Sequence, residues 1–160
     1  MSNAVPTRPR VVGQRRTFVL VASLYNAKFV QGLVDHCSKE LMLASPNSTV
    51  ILHQVPGAFE IPIVVQEIAV KGGVDAIIAL GVILQGETRH ADHIAAAITH
   101  SFQQIALQTK IPVIHEVLSV LNEEQARKRC IEDELNRGTE AARVAIEVSQ
   151  LLSDLRENKR

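Results

Sequence analysis

The sequence predicts an α/β fold in which one parallel sheet carries helices on both faces. Three observations lead there. Short apolar or β-branched runs alternate with stretches of helical spacing along the whole chain. The run 75–83, "DAIIALGVI", is almost wholly apolar, as expected of a central strand buried on both sides. The chemically unusual residues gather in the loops after the first three strands, the place where ligands bind in such sheets.

Taken in order, residues 1–15, "MSNAVPTRPRVVGQR", form an N-terminal arm, and 16–160 form one domain. With two prolines and several arginines, the arm is expected to be mobile or to order against a partner's sheet edge. "RTFVLVAS" (16–23) reads as the first strand. Residues 27–44 place Val30, Leu33, Val34, Cys37 and Leu41 at helical spacing. "STVILHQV" (48–55) is the second strand, and "PGAFEIP" turns the chain into a helix with Pro62 in its first turn. Gly72 and Gly73 stop that helix. After the third strand and the loop "QGETRH", a helix over 89–109 carries a core stripe of Ile94, Ile98, Phe102 and Ile105. Residues 111–119 make the fourth strand, and helices over 122–134 and 139–156 end the chain, broken at "LNRG".

Composition narrows the function classes. With 17 basic against 17 acidic residues, the chain lacks the basic excess that nucleic-acid binding demands. Its two cysteines, Cys37 and Cys130, are far apart and read as small buried hydrophobes of a reducing compartment. No apolar run approaches the roughly 20 residues needed to cross a membrane. Nor is there the apolar core of a secretory signal, so a cytoplasmic protein is expected.

Four groups of residues could carry chemistry. Gly86, Glu87 and Thr88 stand where a helix start offers free N–H groups to a phosphate, or where Thr88 merely caps that helix. Arg89 suggests an anion nearby, although it also fits a solvated surface. His90, Asp92 and His93 look at first like a metal trio. On a helix, however, 92 points away from 90, and no fourth ligand is suitably spaced, so no metal is expected. His90 alone suits proton transfer near neutral pH. In "PGAFE", Gly57 and Ala58 open the backbone to a ligand and Phe59 offers an apolar wall, while Glu60 either accepts hydrogen bonds or caps the helix. Tyr25 and Asn26 add an aromatic face and an amide; core packing is the competing role for both aromatics.

Together and in this order, "SLYN", "VPGAFEIP" and "GVILQGETRHADHI" resemble the lumazine synthase family of riboflavin biosynthesis, and "LNRGTEAARVAIE" resembles that family's "GNKGxEAA" ending. The resemblance covers residues 16–156. It implies a flavodoxin-like three-layer αβα sandwich around a four-stranded parallel sheet, extended by the N-terminal arm of a neighbour. It implies condensation of 5-amino-6-(D-ribitylamino)uracil with 3,4-dihydroxy-2-butanone 4-phosphate, giving 6,7-dimethyl-8-ribityllumazine, phosphate and water. No cofactor is implied. The roles it implies are stacking by Tyr25 with Asn26 beside it, a ribityl and ring pocket from Ala58, Phe59, Glu60, Val82 and Ile83, and phosphate binding by Gly86, Glu87, Thr88 and Arg129. His90 is the implied proton carrier. Self-association into pentamers, or into a sixty-subunit shell, would put the sites between subunits, with His115 and Arg137 facing the neighbour's site. A functional link to riboflavin synthase follows.

The chain leaves the family pattern at Arg89, Ala91, His115, Glu116 and Glu134. Here His115 stands where a phenylalanine usually covers the ring, and Glu116 where glycine is usual. His115, Glu116 and Glu134 motivate the alternative of a non-catalytic, flavin- or lumazine-binding or shell-forming paralogue.

Overall fold

The computed structural model describes residues 4–9 and 14–157. Strands β1 (Thr17–Ser23), β2 (Thr49–Val55), β3 (Ala76–Leu84) and β4 (Val113–Val120) form one wholly parallel sheet in the order β2-β1-β3-β4. Helices α1 (Ala27–Ala44) and α5 (Arg137–Arg156) cover one face, while α2 (Ile61–Lys71) and α3 (His90–Thr109) cover the other. A short α4 (Glu123–Cys130) packs against α1. The three layers and the strand order are those of a flavodoxin-like αβα sandwich.

The pleat sorts the core into two. Phe18 and Leu20 of β1 face α1 and α5 together with Ile78 and Leu80 of β3, whereas Val19, Val21 and Ile77 face α2 and α3. Each such fully buried side chain stabilises the fold by about 2 kcal/mol relative to exposure, which makes β1 and β3 the anchor of the sheet. The stripe expected of α1 is buried throughout, Cys37 included, and both cysteines are free and buried. Gly72 and Gly73, at φ 70° and 76°, end α2 in the left-handed region where glycine is at ease.

β2, the second strand expected over 48–55, lies at the edge of the sheet, with Ile51 39% and Leu52 42% exposed. The structure departs from the sequence reading at the two ends of the α4–α5 connection. Helix α4 ends at Cys130, short of 134, and α5 begins at Arg137. Asn136 fixes the start of α5. Its buried Oδ1 accepts from the N–H groups of Gly138 (2.9 Å) and Thr139 (3.3 Å), and its Nδ2 donates to the Glu132 carbonyl (3.0 Å). Gly138 lies so close to the Leu33 carbonyl that any Cβ there would collide with it, and this lets α5 start tight against α1.

Within one chain, residues 4–9 of the arm form no strand and lie over the α1–α5 pair. Arg8 grips the buried Glu40 carboxylate with two donors, Nε at 2.7 Å and Nη2 at 3.0 Å. Arg143 shares Glu40 (2.8 Å) and also donates to the Pro6 carbonyl. Residues 10–13 fall outside the described residues, so the remainder of the expected arm is not placed.

Candidate functional site

The strand order reverses direction between β1 and β3, and a cavity of about 460 Å³ opens there at the carboxyl ends of the strands. It is built by three loops and the start of α3. Asn26 caps α1 in the left-handed conformation (φ 59°) and donates its amide N–H to the Val82 carbonyl (2.7 Å), which ties the first loop to β3. The Tyr25 N–H donates to the Pro56 carbonyl (3.1 Å), tying it to the second loop. There, a Cβ on Gly57 would lie 2.8 Å from Glu60 Oε2 and 3.0 Å from the Tyr25 ring. Any larger residue would push the carboxylate or the aromatic ring aside, so glycine lets both close over the backbone as they stand.

The cavity therefore collects Tyr25, Asn26, Ala58, Phe59, Glu60, Val82, Ile83 and His90, eight of the positions named from the sequence. Tyr25 and Phe59 are 70% and 61% exposed, so neither is a core residue; both stand at the mouth. Glu60 makes no capping bond at α2, which leaves its carboxylate facing the cavity. Leu84 and Ile94 complete the apolar wall. Ile94, on the helical stripe expected of the core, packs against the α2–α3 core and also forms part of this wall.

Gly86, Glu87 and Thr88 are exposed on the loop that runs from this cavity into α3. The loop is anchored by the Gln85 N–H, which donates to the Val120 carbonyl (2.9 Å). No side chain caps α3 at Arg89, and the Thr88 hydroxyl reaches the His90 N–H only at 3.5 Å. The first-turn N–H groups thus stay available to an anion. His90 is the first residue of α3 and lines the cavity, whereas Asp92 and His93 are exposed and do not. Among the described residues, no three His, Cys, Asp or Glu side chains cluster as metal ligands would.

His115 and Arg129 are not brought to this cavity. Arg129 is half-buried on α4, with Nη1 donating to the Gln125 carbonyl (3.4 Å). His115 belongs to a second cavity of about 370 Å³ that follows β4 from His115 to Ser119 and ends at Arg137 and Glu140. Its ring meets Phe102 edge-on, with centroids 5.2 Å apart, and burial lowers its pKa. Thr99 Oγ1 donates to the Ala95 carbonyl, so the His115 Nε2–H donates to Thr99 (2.8 Å), while Nδ1 accepts from the Val117 N–H (3.2 Å). This arrangement selects the neutral Nε2–H tautomer.

Beside it, burial pushes the Glu116 carboxyl up to about 8; Glu140 adds to the shift and Arg137 opposes it. Arg137 and Glu140 form an ion pair three residues apart. Burial also raises the thiol of Cys37 and pushes that of Cys130 up to about 12, so neither offers a thiolate near neutral pH. From the sequence, Glu116 stood out only as a departure from a family pattern; its titration depends on neighbours brought in from α5.

Comparison with known proteins agrees with this geometry. The 6,7-dimethyl-8-ribityllumazine synthase family matches residues 15–153. A protein of that name from Chlorobium phaeobacteroides is 41% identical over 138 residues, 84% of this chain and 87% of its own length. Others from Nitrosospira multiformis and Burkholderia multivorans are 35% and 37% identical, over 97% and 90% of this chain and 95% and 82% of theirs. With the family's span covering nearly all of the sandwich and the loops that build the cavity, this chain belongs to the 6,7-dimethyl-8-ribityllumazine synthase family.

Proposed function

We propose that the protein is a transferase that condenses 5-amino-6-(D-ribitylamino)uracil with 3,4-dihydroxy-2-butanone 4-phosphate, forming 6,7-dimethyl-8-ribityllumazine and releasing phosphate and water. The observation that carries this reading is the convergence of Tyr25, Phe59, Glu60 and His90 on one cavity beside an uncapped helix start. Tyr25 and Phe59 give a flat ring two apolar faces, and Glu60 accepts hydrogen bonds from ribityl hydroxyls. The phosphate of the second substrate sits against the N–H groups of Gly86, Glu87 and Thr88. The substrate's own amine attacks the ketone, water leaves to give the imine, phosphate is eliminated, and ring closure expels water. Each step moves a proton, and His90 at the cavity wall alternates as acid and base. Much of the acceleration comes from holding the two substrates together.

Arg129 and His115 lie away from the cavity within one chain and act on the site of an adjacent copy. The working unit is a pentamer, or twelve pentamers in a shell, acting in the cytoplasm and supplying riboflavin synthase. No helix among the described residues is long and apolar enough to cross a membrane. Mixing pure protein with both substrates and following the fluorescence of the lumazine is the test. A rate no higher than background would refute the enzyme and favour a binding-only paralogue.

A further inference from the structure

Arg129 sits on the last turn of a helix that cannot hold its shape alone. At eight residues, α4 is shorter than the roughly 12 that an isolated helix needs, so its end depends on what packs against it. Helix α1 supplies that support from two residues one turn apart. Gly32 brings the α1 backbone so close that a Cβ there would collide with the Cys130 carbonyl oxygen. Four residues on, the half-buried His36 ring meets the same end of α4. Its Nε2 lies 3.1 Å from the Ile131 carbonyl oxygen, and a carbonyl only accepts, so Nε2 carries the hydrogen and donates. Carbonyls at the end of a helix have no partner within it. That of Ile131, the residue that caps α4, finds one on α1 instead. Asp133 Oδ1 is 3.7 Å from His36 Nδ1, but its side chain is 95% exposed and adds little. From the other side, Asn136 holds the Glu132 carbonyl. Arg129 thus stands two residues before an anchored carbonyl, on an element that is short of support of its own.

We propose that His36 is a positioning residue: by donating to the Ile131 carbonyl it fixes the end of α4, and with it the direction in which Arg129 offers its guanidinium to the phosphate-bearing substrate at an adjacent copy's site. A guanidinium holds an anion through N–H groups in a rigid fork, so its contribution depends on orientation as well as reach. A helix end left to fray spreads that orientation and weakens the contact. The proposal rests on the role given to Arg129 above; the anchoring of α4 by α1 does not.

Two variants separate the hydrogen bond from the bulk of the ring. His36→Gln keeps an N–H donor near the place of Nε2, whereas His36→Leu fills similar space without one. In steady-state fluorescence assays of the intact assembly, His36→Leu should raise KM for 3,4-dihydroxy-2-butanone 4-phosphate about three- to tenfold, the range of one hydrogen bond. Both kcat and KM for 5-amino-6-(D-ribitylamino)uracil should stay within about twofold of wild type. His36→Gln should restore the KM of the phosphate substrate. An unchanged KM in His36→Leu, a loss shared equally by both substrates, or a Gln variant as impaired as the Leu variant would overturn the proposal. A merely structural role predicts the shared loss. Calorimetric titration with inorganic phosphate needs no turnover, so it separates this inference from the proposed reaction and from the role of Arg129. His36→Leu should bind phosphate about three- to tenfold more weakly than wild type, and Arg129→Ala more weakly still. Weakened binding in Arg129→Ala alone would sink the role of His36 and leave that of Arg129 standing. Wild-type binding in Arg129→Ala would sink both.

Discussion

His90 and Glu116 are both titratable residues in a cavity wall, yet their surroundings make opposite demands. His90 is exposed at the start of α3, where it can exchange protons with a ligand and water. His90→Ala should lower kcat about a hundredfold or more while leaving KM for both substrates within about threefold, as removal of a general acid–base group does. Steady-state fluorescence assays would show it, and an unchanged kcat would remove His90 from the mechanism. Glu116 has a stability consequence instead. Its folded pKa of about 8 lies above the roughly 4.3 of an unfolded glutamate, so the folded state holds the extra proton between those values. Its contribution is therefore fully present below about pH 4.3 and is lost as pH rises through about 8. Urea unfolding at pH 5 and pH 8 should show wild type losing about 1–3 kcal/mol more than Glu116→Gln. Parallel losses would mean that Glu116 titrates normally. The place of His90 in the cavity wall was legible in the sequence because it follows directly on the loop after a strand's carboxyl end. Glu116 was not, because its behaviour depends on α5 folding back across β4.

At the scale of elements, the strands and the stripe of α1 could be read from periodicity, because burial on a regular element leaves a regular mark. The strand β2 was legible in the same way, but its place at the sheet edge was not, because strand order is a property of the whole sheet. The hydrogen bonds of Asn136 were equally invisible, since they join the end of one helix region to the start of the next. The arm makes the same point. Four sequence-distant partners, Pro6, Arg8, Glu40 and Arg143, meet over α1 and α5. The Arg8 guanidinium and Arg143 hold the Glu40 carboxyl down at about 2, against the usual carboxylate range. This contribution is thus present above about pH 4.3 and lost as pH falls toward 2. Glu40→Ala leaves Arg143 without its carboxylate and should cost about 3 kcal/mol, whereas Arg8→Ala, whose side chain is half exposed and screened by solvent, should lower stability much less. Thermal unfolding of both variants checks the order. If Arg8→Ala proved the more damaging, the arm and not the buried carboxylate would be the main support.

For the whole molecule, the decisive fact is that the candidate residues divide between two regions of one chain. Tyr25, Glu60 and His90 share the cavity at the ends of β1 and β3, while His115 lies along β4 and Arg129 on α4. Spacing along the chain does not tell whether two residues meet within a copy or across copies, so only the resemblance, which implies sites between subunits with His115 facing a neighbour, anticipates such a division. A site completed by a neighbour makes a prediction that a site within one chain cannot. His90→Ala and Arg129→Ala should each be nearly inactive alone. Unfolded together in equal amounts and refolded, they should recover about a quarter of wild-type activity. In a closed ring, one interface in four then pairs an intact His90 from one copy with an intact Arg129 from the next. If both residues served the same chain's site, every site in the mixture would carry one defect and no activity would return. Recovery also requires co-assembly, which light scattering on the mixture reports separately. Mixed particles of wild-type size without recovered activity would place Arg129 in its own chain's site and remove the neighbour from the reaction.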